Sequence, residues 1–409
     1  MQKYGFFFLL YLHTLPAQHA DSKPITIEKA IEMCLSQSLT VQTQVLKVLE
    51  QSSLERTAVD FAKTNLGTEM GQMNSRAVDL KLMASQSFRP KNYYRAQQAL
   101  LKAKTGAEQS EINVLKYQIK AEIYPIFAEL LFLQAQKALY LRFDSLYAQN
   151  VKVAETKIRL GESGILEKTT AETQRLQMAH NIAQTEIEIV YEQEQLQYWL
   201  HTKDWFLPEK QAVIMAFSFP TDSNFMQKHP ILAVLQQQIS VAQQQIKAEE
   251  AEFLPEFSLG IGMQSIRGYQ NTSGKEYYAS ALPQFAFIQA GISIPIYKEA
   301  IKGRVDAAKL TEKRIENQQL AEANALQHDY EMLLTHYQKA IQHIAYYEKV
   351  AIPQGEKLLK TAELSRQNGE IGYAEWSLTL NQVMAIQQEY LTAIGGYNQI
   401  VVALQSLLF

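Results

Sequence analysis

From Leu326 onward the apolar positions fall at alternating intervals of four and three: Leu326, Tyr330, Leu333, Tyr337, Ala340, Ile344, Tyr347 and Ala351. That spacing is a coiled-coil seam, in which each apolar side chain inserts between residues of a facing helix. A similar seam runs through Ile119, Ile123, Ile126, Leu130, Leu133, Tyr140, Tyr147 and Val151, interrupted by Lys137 and Asp144. A helix from about residue 93 to residue 160 would be ~100 Å long at ~1.5 Å per residue, far beyond an ordinary globular helix. Pro125 and Pro353 lie inside these runs. Because the periodicity continues on both sides, they are expected to kink the helices rather than end them.

Between the helices the period changes to two. Phe257, Leu259, Ile261 and Met263 alternate with Ser258, Gly260, Gly262 and Gln264, and a partner strand is expected over residues 285–296 on the alternation of Ile288, Ala290, Ile292, Ile294 and Ile296. In the first half Val78, Leu80, Leu82 and Ala84 alternate with Asp79, Lys81, Met83 and Ser85, while residues 66–73 are a fainter candidate. Strands of ~9–12 residues cross an outer membrane when tilted. Four strands do not close a barrel, and an open edge in a bilayer leaves backbone groups unpaired at several kcal/mol each. Membrane-spanning strands therefore require several chains to share one barrel, which makes the protein a homo-oligomer of undetermined number. The alternative is a small soluble β-layer between coiled coils, as in a periplasmic adaptor or scaffold.

The order helix, strand pair, long helix, turn, helix occurs twice. Residues 160–167 and 368–375 align at an offset of 208, with Gly161/Gly369, Glu162/Glu370, Gly164/Gly372 and Glu167/Glu375 coinciding. Earlier in each half the offset is 192, pairing Leu54 with Ile246 and Phe61 with Phe253. The difference between 208 and 192 places 16 extra residues between Gln264 and Gln284, a stretch of loop composition. These observations divide the chain into a leader (1–20), a first repeat (21–204, strands about 65–73 and 78–88), a linker or equatorial segment (205–223) and a second repeat (224–409, strands about 256–265 and 284–296). The fold class is mainly α with membrane β.

Composition adds compartment. Lys3, the apolar run from Phe6 to Leu12 and small residues around Ala17 and Ala20 read as an export signal. Cys34, the only cysteine, sits at helical spacing among Ile27, Ala30, Ile31 and Leu35 and reads as a small core residue rather than a lipid anchor. The formal charge of −3, with no long basic run, argues against nucleic acid as a partner. No paired cysteines, phosphate-cradling glycine loop or His-Glu-x-x-His motif occurs, so neither an enzyme nor a cofactor is indicated. His328, His336 and His343 share one helix arc, but steps of eight and seven residues are ~12 and ~10 Å, too far apart for one metal ion.

Several stretches carry a family resemblance: residues 27–32, His229-Pro230-Ile231-Leu232, Leu254-Pro255-Glu256-Phe257, Ile292-Ser293-Ile294-Pro295 and Asn368-Gly369-Glu370-Ile371, followed by Tyr390 and Tyr397-Asn398. In that order they resemble the TolC-like outer-membrane efflux family over nearly the whole mature chain. The resemblance implies a homotrimer with a shared 12-strand β-barrel in outer-membrane lipid and a helical tunnel across the periplasm. It implies partners too, a periplasmic membrane-fusion adaptor and an inner-membrane pump of the RND type that supplies the energy. The Gly-Glu-Ile tip followed by Glu375-Trp376 looks most like members paired with heavy-metal exporters, although multidrug members share much of the pattern; heavy-metal cations and drugs both stand as cargo.

By the same resemblance the turns with Gly161, Glu162 and Gly164, and with Gly369, Glu370 and Gly372, are adaptor-docking tips. Glu167 and Glu375 fall at the spacing of an acid that lines the closed periplasmic aperture, where six carboxylates in a trimer would favour cations. Two family features differ here. Ile371 stands where an arginine links neighbouring coils, and Leu378 where a second acid lies, which leaves Arg366 as the candidate substitute.

Overall fold

A computed structural model describes residues 22–73, 76–161, 164–209, 213–220 and 225–408. The expected leader therefore lies outside the described residues. Strand β1 (Lys23–Ile25) leads to α1 (Ile27–Gln37) and α2 (Leu39–Leu54); β2 (Asn65–Gly71) and β3 (Asp79–Phe88) precede α3 (Lys91–Arg159), which a tight turn joins to α4 (Ile165–Leu200). After β4 (Phe206–Pro208) the order recurs as α5 (Pro230–Ala251), β5 (Glu256–Gln264), β6 (Gly268–Thr272), β7 (Lys275–Ala279) and β8 (Phe285–Ser293). It continues with α6 (Glu299–Tyr346), a π turn (Tyr347–Ala351), α7 (Ile352–Gln367) and α8 (Tyr373–Ser406). Among the described residues no helix is long and apolar enough to cross a membrane.

Chain contacts define two compact units that cut across the repeats. One comprises the described residues up to Ser38, Gln118–Phe219 and those from Tyr330 onward; the other comprises Leu39–Tyr117 and Pro220–Asp329.

In the first unit the coiled-coil seams form the core. Tyr337, Ile344, Tyr347 and Ala351 are buried against Ile394, Tyr397, Val401 and Leu404 of α8. Lys137 and Asp144, which interrupt the other seam, are matched by α4: Lys137 pairs with Glu186 at 2.8 Å and Asp144 with Arg175 at 3.3 Å. Pro125 is carried inside the continuous α3, and the π turn directly precedes Pro353. An extra backbone residue in that turn absorbs the missing N–H and ring bulk, so helical structure continues to Gln367. Cys34 is buried, and burial pushes its thiol up to about 11. The linker is fastened at both ends. β4 pairs in parallel with β1, and buried Asn398 accepts the Met215 N–H at 2.9 Å while donating to the Val213 carbonyl at 2.6 Å.

The second unit holds a four-stranded antiparallel sheet in the order β2-β3-β5-β8, so β2 and β8 are open edges. Strand β8 stops at Ser293, short of the expected residue 296. Pro295, which has no N–H to donate to a ladder, follows at once. The stretch 265–283, which holds the insertion, also departs from a plain loop: β6 and β7 form a hairpin. Its turn places Ser273 at φ 56° and Gly274 at φ 82°, the twist that favours a tight two-residue reversal. Asp79, fully buried, accepts the Arg267 N–H at 2.8 Å and anchors the hairpin base.

Candidate functional site

The two helix reversals are built alike. Gly161 and Gly369 have φ of +74° and +77°, a conformation in which a side chain is strained, and each N–H closes the last turn on the carbonyl of Ile158 or Arg366 at 3.0 or 3.1 Å. At the second turn the Glu370 N–H also reaches the Ser365 carbonyl at 2.8 Å, completing a Schellman cap. The Glu370 carboxylate accepts the Ser365 hydroxyl at 2.8 Å. Gly164 and Gly372 differ. They are N-caps with φ of −87° and −82°, ordinary extended backbone, so of the two glycines in each pair only the first is left-handed. Glu162, expected at the first tip, lies outside the described residues.

One turn of helix inward, Arg366 on α7 pairs with Glu167 on α4 at 3.4 Å; their side chains are only 12% and 14% exposed. The guanidinium also donates to Asn150 of α3 and lies over the Trp376 and Tyr373 rings, 4.5 and 5.3 Å from their centroids. Burial lowers the Arg366 pKa, opposed by the Glu167 charge. One cation thus joins α3, α4, α7 and α8, and a buried ion pair with its hydrogen bonds satisfied resists separation. Glu375, the repeat equivalent of Glu167, is exposed in the single chain. The contact of Arg366 with Asn150 and its stacking on Trp376 were not identified from sequence; Asn150 lies one residue before the seam position Val151, and no local pattern marks it.

The sheet separates its side chains by face. Leu66, Leu82, Leu259, Ile261, Met263, Ile288 and Ile292 fall on one face by register, and all are strongly exposed or half-exposed except where neighbouring strands cover them. The other face is mostly small or polar, with Gly67, Ser85, Ser258, Gly260, Gly262, Gln289 and Gly291 and all four charged residues of the sheet, Glu69, Asp79, Lys81 and Glu256, and it also carries Met83, Phe285 and Phe287. An outward apolar face, a small and polar opposite face and two open edges are what a segment of a membrane barrel requires.

Residues 223–408 match the family model described as outer membrane efflux protein. Over that span, somewhat less than half of the chain, the sequence is similar to the outer membrane efflux protein family. The matched span is essentially the second repeat. No curated protein matches the sequence. Among solved structures, this chain is similar to CusC, with TM-score 0.75 and 15% identity over 94% of this chain and 92% of that one. It is also similar to VceC from Vibrio cholerae, with TM-score 0.69 and 14% identity over 93% and 96% of the two chains. A third is the MtrE outer membrane channel of Neisseria gonorrhoeae in its open state, with TM-score 0.71 and 14% identity over 93% and 88%. At these identities the likeness is one of fold: long helices and strands of the TolC-like kind.

Elsewhere in the chain, His336 and His343 line a cleft between α6 and α8 with Lys339, Glu389 and Tyr397. The cleft wall is tied by the Tyr347 hydroxyl, which donates to Glu389 at 3.0 Å.

Proposed function

We propose that this protein is the outer-membrane duct of a tripartite export system, conducting solutes passively from an inner-membrane pump and a periplasmic adaptor to the exterior. The amphipathic sheet with two open edges carries this reading, because only closure with further copies satisfies its edge backbone groups in lipid. Three copies give the twelve strands of the family's barrel. The turns that carry the exposed Gly161 and Gly164, and the exposed Gly369, Glu370 and Gly372, are the docking tips for a membrane-fusion adaptor, and the pump is of the RND type. Glu167 and Glu375 line the periplasmic aperture, with Arg366 holding Glu167 in its closed position. Heavy-metal cations and drugs are the cargo classes that the tip pattern leaves open, and the pump selects between them.

The test is deletion of the gene followed by survival on a panel of metals, dyes and antibiotics, with complementation by the intact protein. Hypersensitivity to a subset, restored by complementation, is expected. An unchanged profile across the panel contradicts an export role.

A further inference from the structure

The polar face of the sheet is not uniform. Two of its four charges are engaged at its ends: Glu256 pairs with Arg89 at 3.4 Å, and buried Asp79 receives the Arg267 N–H. Between them Lys81 of β3 and Glu69 of β2 stand directly opposite in register and pair at 3.1 Å. In the neighbouring rows Phe287 opposes Gly262, where an added Cβ would collide with the Phe287 ring and approach the Leu82 carbonyl oxygen to 2.6 Å. The ring therefore covers bare glycine. The Lys81 ammonium lies 5.6 Å from its centroid, within cation–π range. Gly67, Ser85, Gly260 and Gln289 lie around this group, with Met83 opposite Gly262 and Phe285 opposite Gln264, so charge and bulk concentrate at one level of a face whose remaining positions are mostly small or polar.

We propose that Glu69, Lys81 and Phe287 form a selectivity ring that sorts permeating solutes by charge, an inference that rests on the reading of the sheet as part of a shared barrel. Closure turns a row across the sheet into a ring, and each copy contributes one carboxylate and one ammonium. The two are not equally presented. The Lys81 side chain is 24% exposed, held between Phe287 and the carboxylate, whereas Glu69 is 53% exposed. A passing solute meets the carboxylate first, with Lys81 offsetting its charge. Repeated around a confined, partly dehydrated passage, a small imbalance between these charges biases which ions pass.

The test is the reversal potential of the purified full-length protein in a planar bilayer under a potassium chloride gradient. Glu69→Gln exposes the ammonium and shifts the potassium-to-chloride permeability ratio toward chloride, by about threefold for a ring of like charges. Lys81→Gln shifts it toward potassium by a similar factor, and the double variant lies between the two single variants, slightly on the chloride side of the wild-type value. Lys81→Arg keeps the charge and the wild-type ratio. Gln264→Glu, which faces Lys81 across β3 and β5, adds a carboxylate to the same row without removing the pair. It shifts the ratio toward potassium even if the pair variants fail to assemble. Conducting channels whose ratio is unmoved by Gln264→Glu and by the pair variants overturn the ring. Absence of conductance in the wild-type protein instead overturns the duct.

Discussion

The guanidinium of Arg366 on α7 lies 3.4 Å from the carboxylate of Glu167 on α4, so the second repeat is ion-paired to the first inside one chain. At the offset of 208 the counterparts of Arg366 and Asn150 are Ile158 and Leu358, which carry no charge. Glu375 therefore has no equivalent cation, and the two aperture glutamates are unequal. Arg366→Met is expected to cost about 3–5 kcal/mol, the scale for breaking a buried pair. Glu375→Gln, at an exposed site, should stay within about 0.5 kcal/mol. Thermal unfolding of both variants checks the difference; equal losses would count against the latch.

The same pair makes a functional prediction. If Arg366 holds the aperture closed, Glu167→Gln raises resting conductance in planar bilayers, and the exchange of Glu167→Arg with Arg366→Glu restores part of the closure. A double-mutant cycle should return a coupling of about 0.5–3 kcal/mol. Additive effects would mean that the two residues act separately.

The two glycines of each turn are expected to behave differently. Gly161→Ala and Gly369→Ala place a Cβ at φ near +75° and cost about 1–2 kcal/mol each. Gly164→Ser and Gly372→Ser sit at ordinary N-cap geometry with open space around them and should leave stability unchanged or slightly improved. A bulky Gly372→Trp then tests docking apart from folding. Adaptor cross-linking should fall while the melting temperature holds; undiminished cross-linking removes this tip from the interface.

How far the sequence reached follows from these residues. Strand β5 was legible because its apolar and small positions alternate without a break, and the α6 seam because its spacing is strict. The β6–β7 hairpin was not, since Tyr269, Gln270, Asn271 and their partners have no apolar face and are held by the turn and by Asp79. Gly161 and Gly164 are the same residue type, and only the backbone distinguishes the strained position from the relaxed one. Arg366 drew notice by its place near the tip, but its partners lie on three other helices, and no local pattern encodes where helices from different repeats cross.

Acid should destabilise the protein through His229. This buried histidine accepts the Ile231 N–H on Nδ1 at 3.4 Å and meets the Tyr117 ring edge-on at 4.8 Å, while its Nε2 has no hydrogen-bond partner among the described residues. Burial holds its pKa below the ordinary value. The fold thus favours the neutral ring. Its contribution is complete above the unfolded-state pKa of about 6.5 and is lost as pH falls from there through the folded value. The melting temperature should drop between about pH 7 and 5, and His229→Gln should flatten that slope. An identical slope in the variant assigns the acid sensitivity elsewhere.

In the proposed duct the sheet is a fragment of a barrel that other copies complete in the outer membrane. The most direct test is the mass of the protein extracted from outer membranes in mild detergent, measured by native mass spectrometry. Three chains, held together until heated, is the expected result. A monomer recovered from the soluble periplasmic fraction would contradict it.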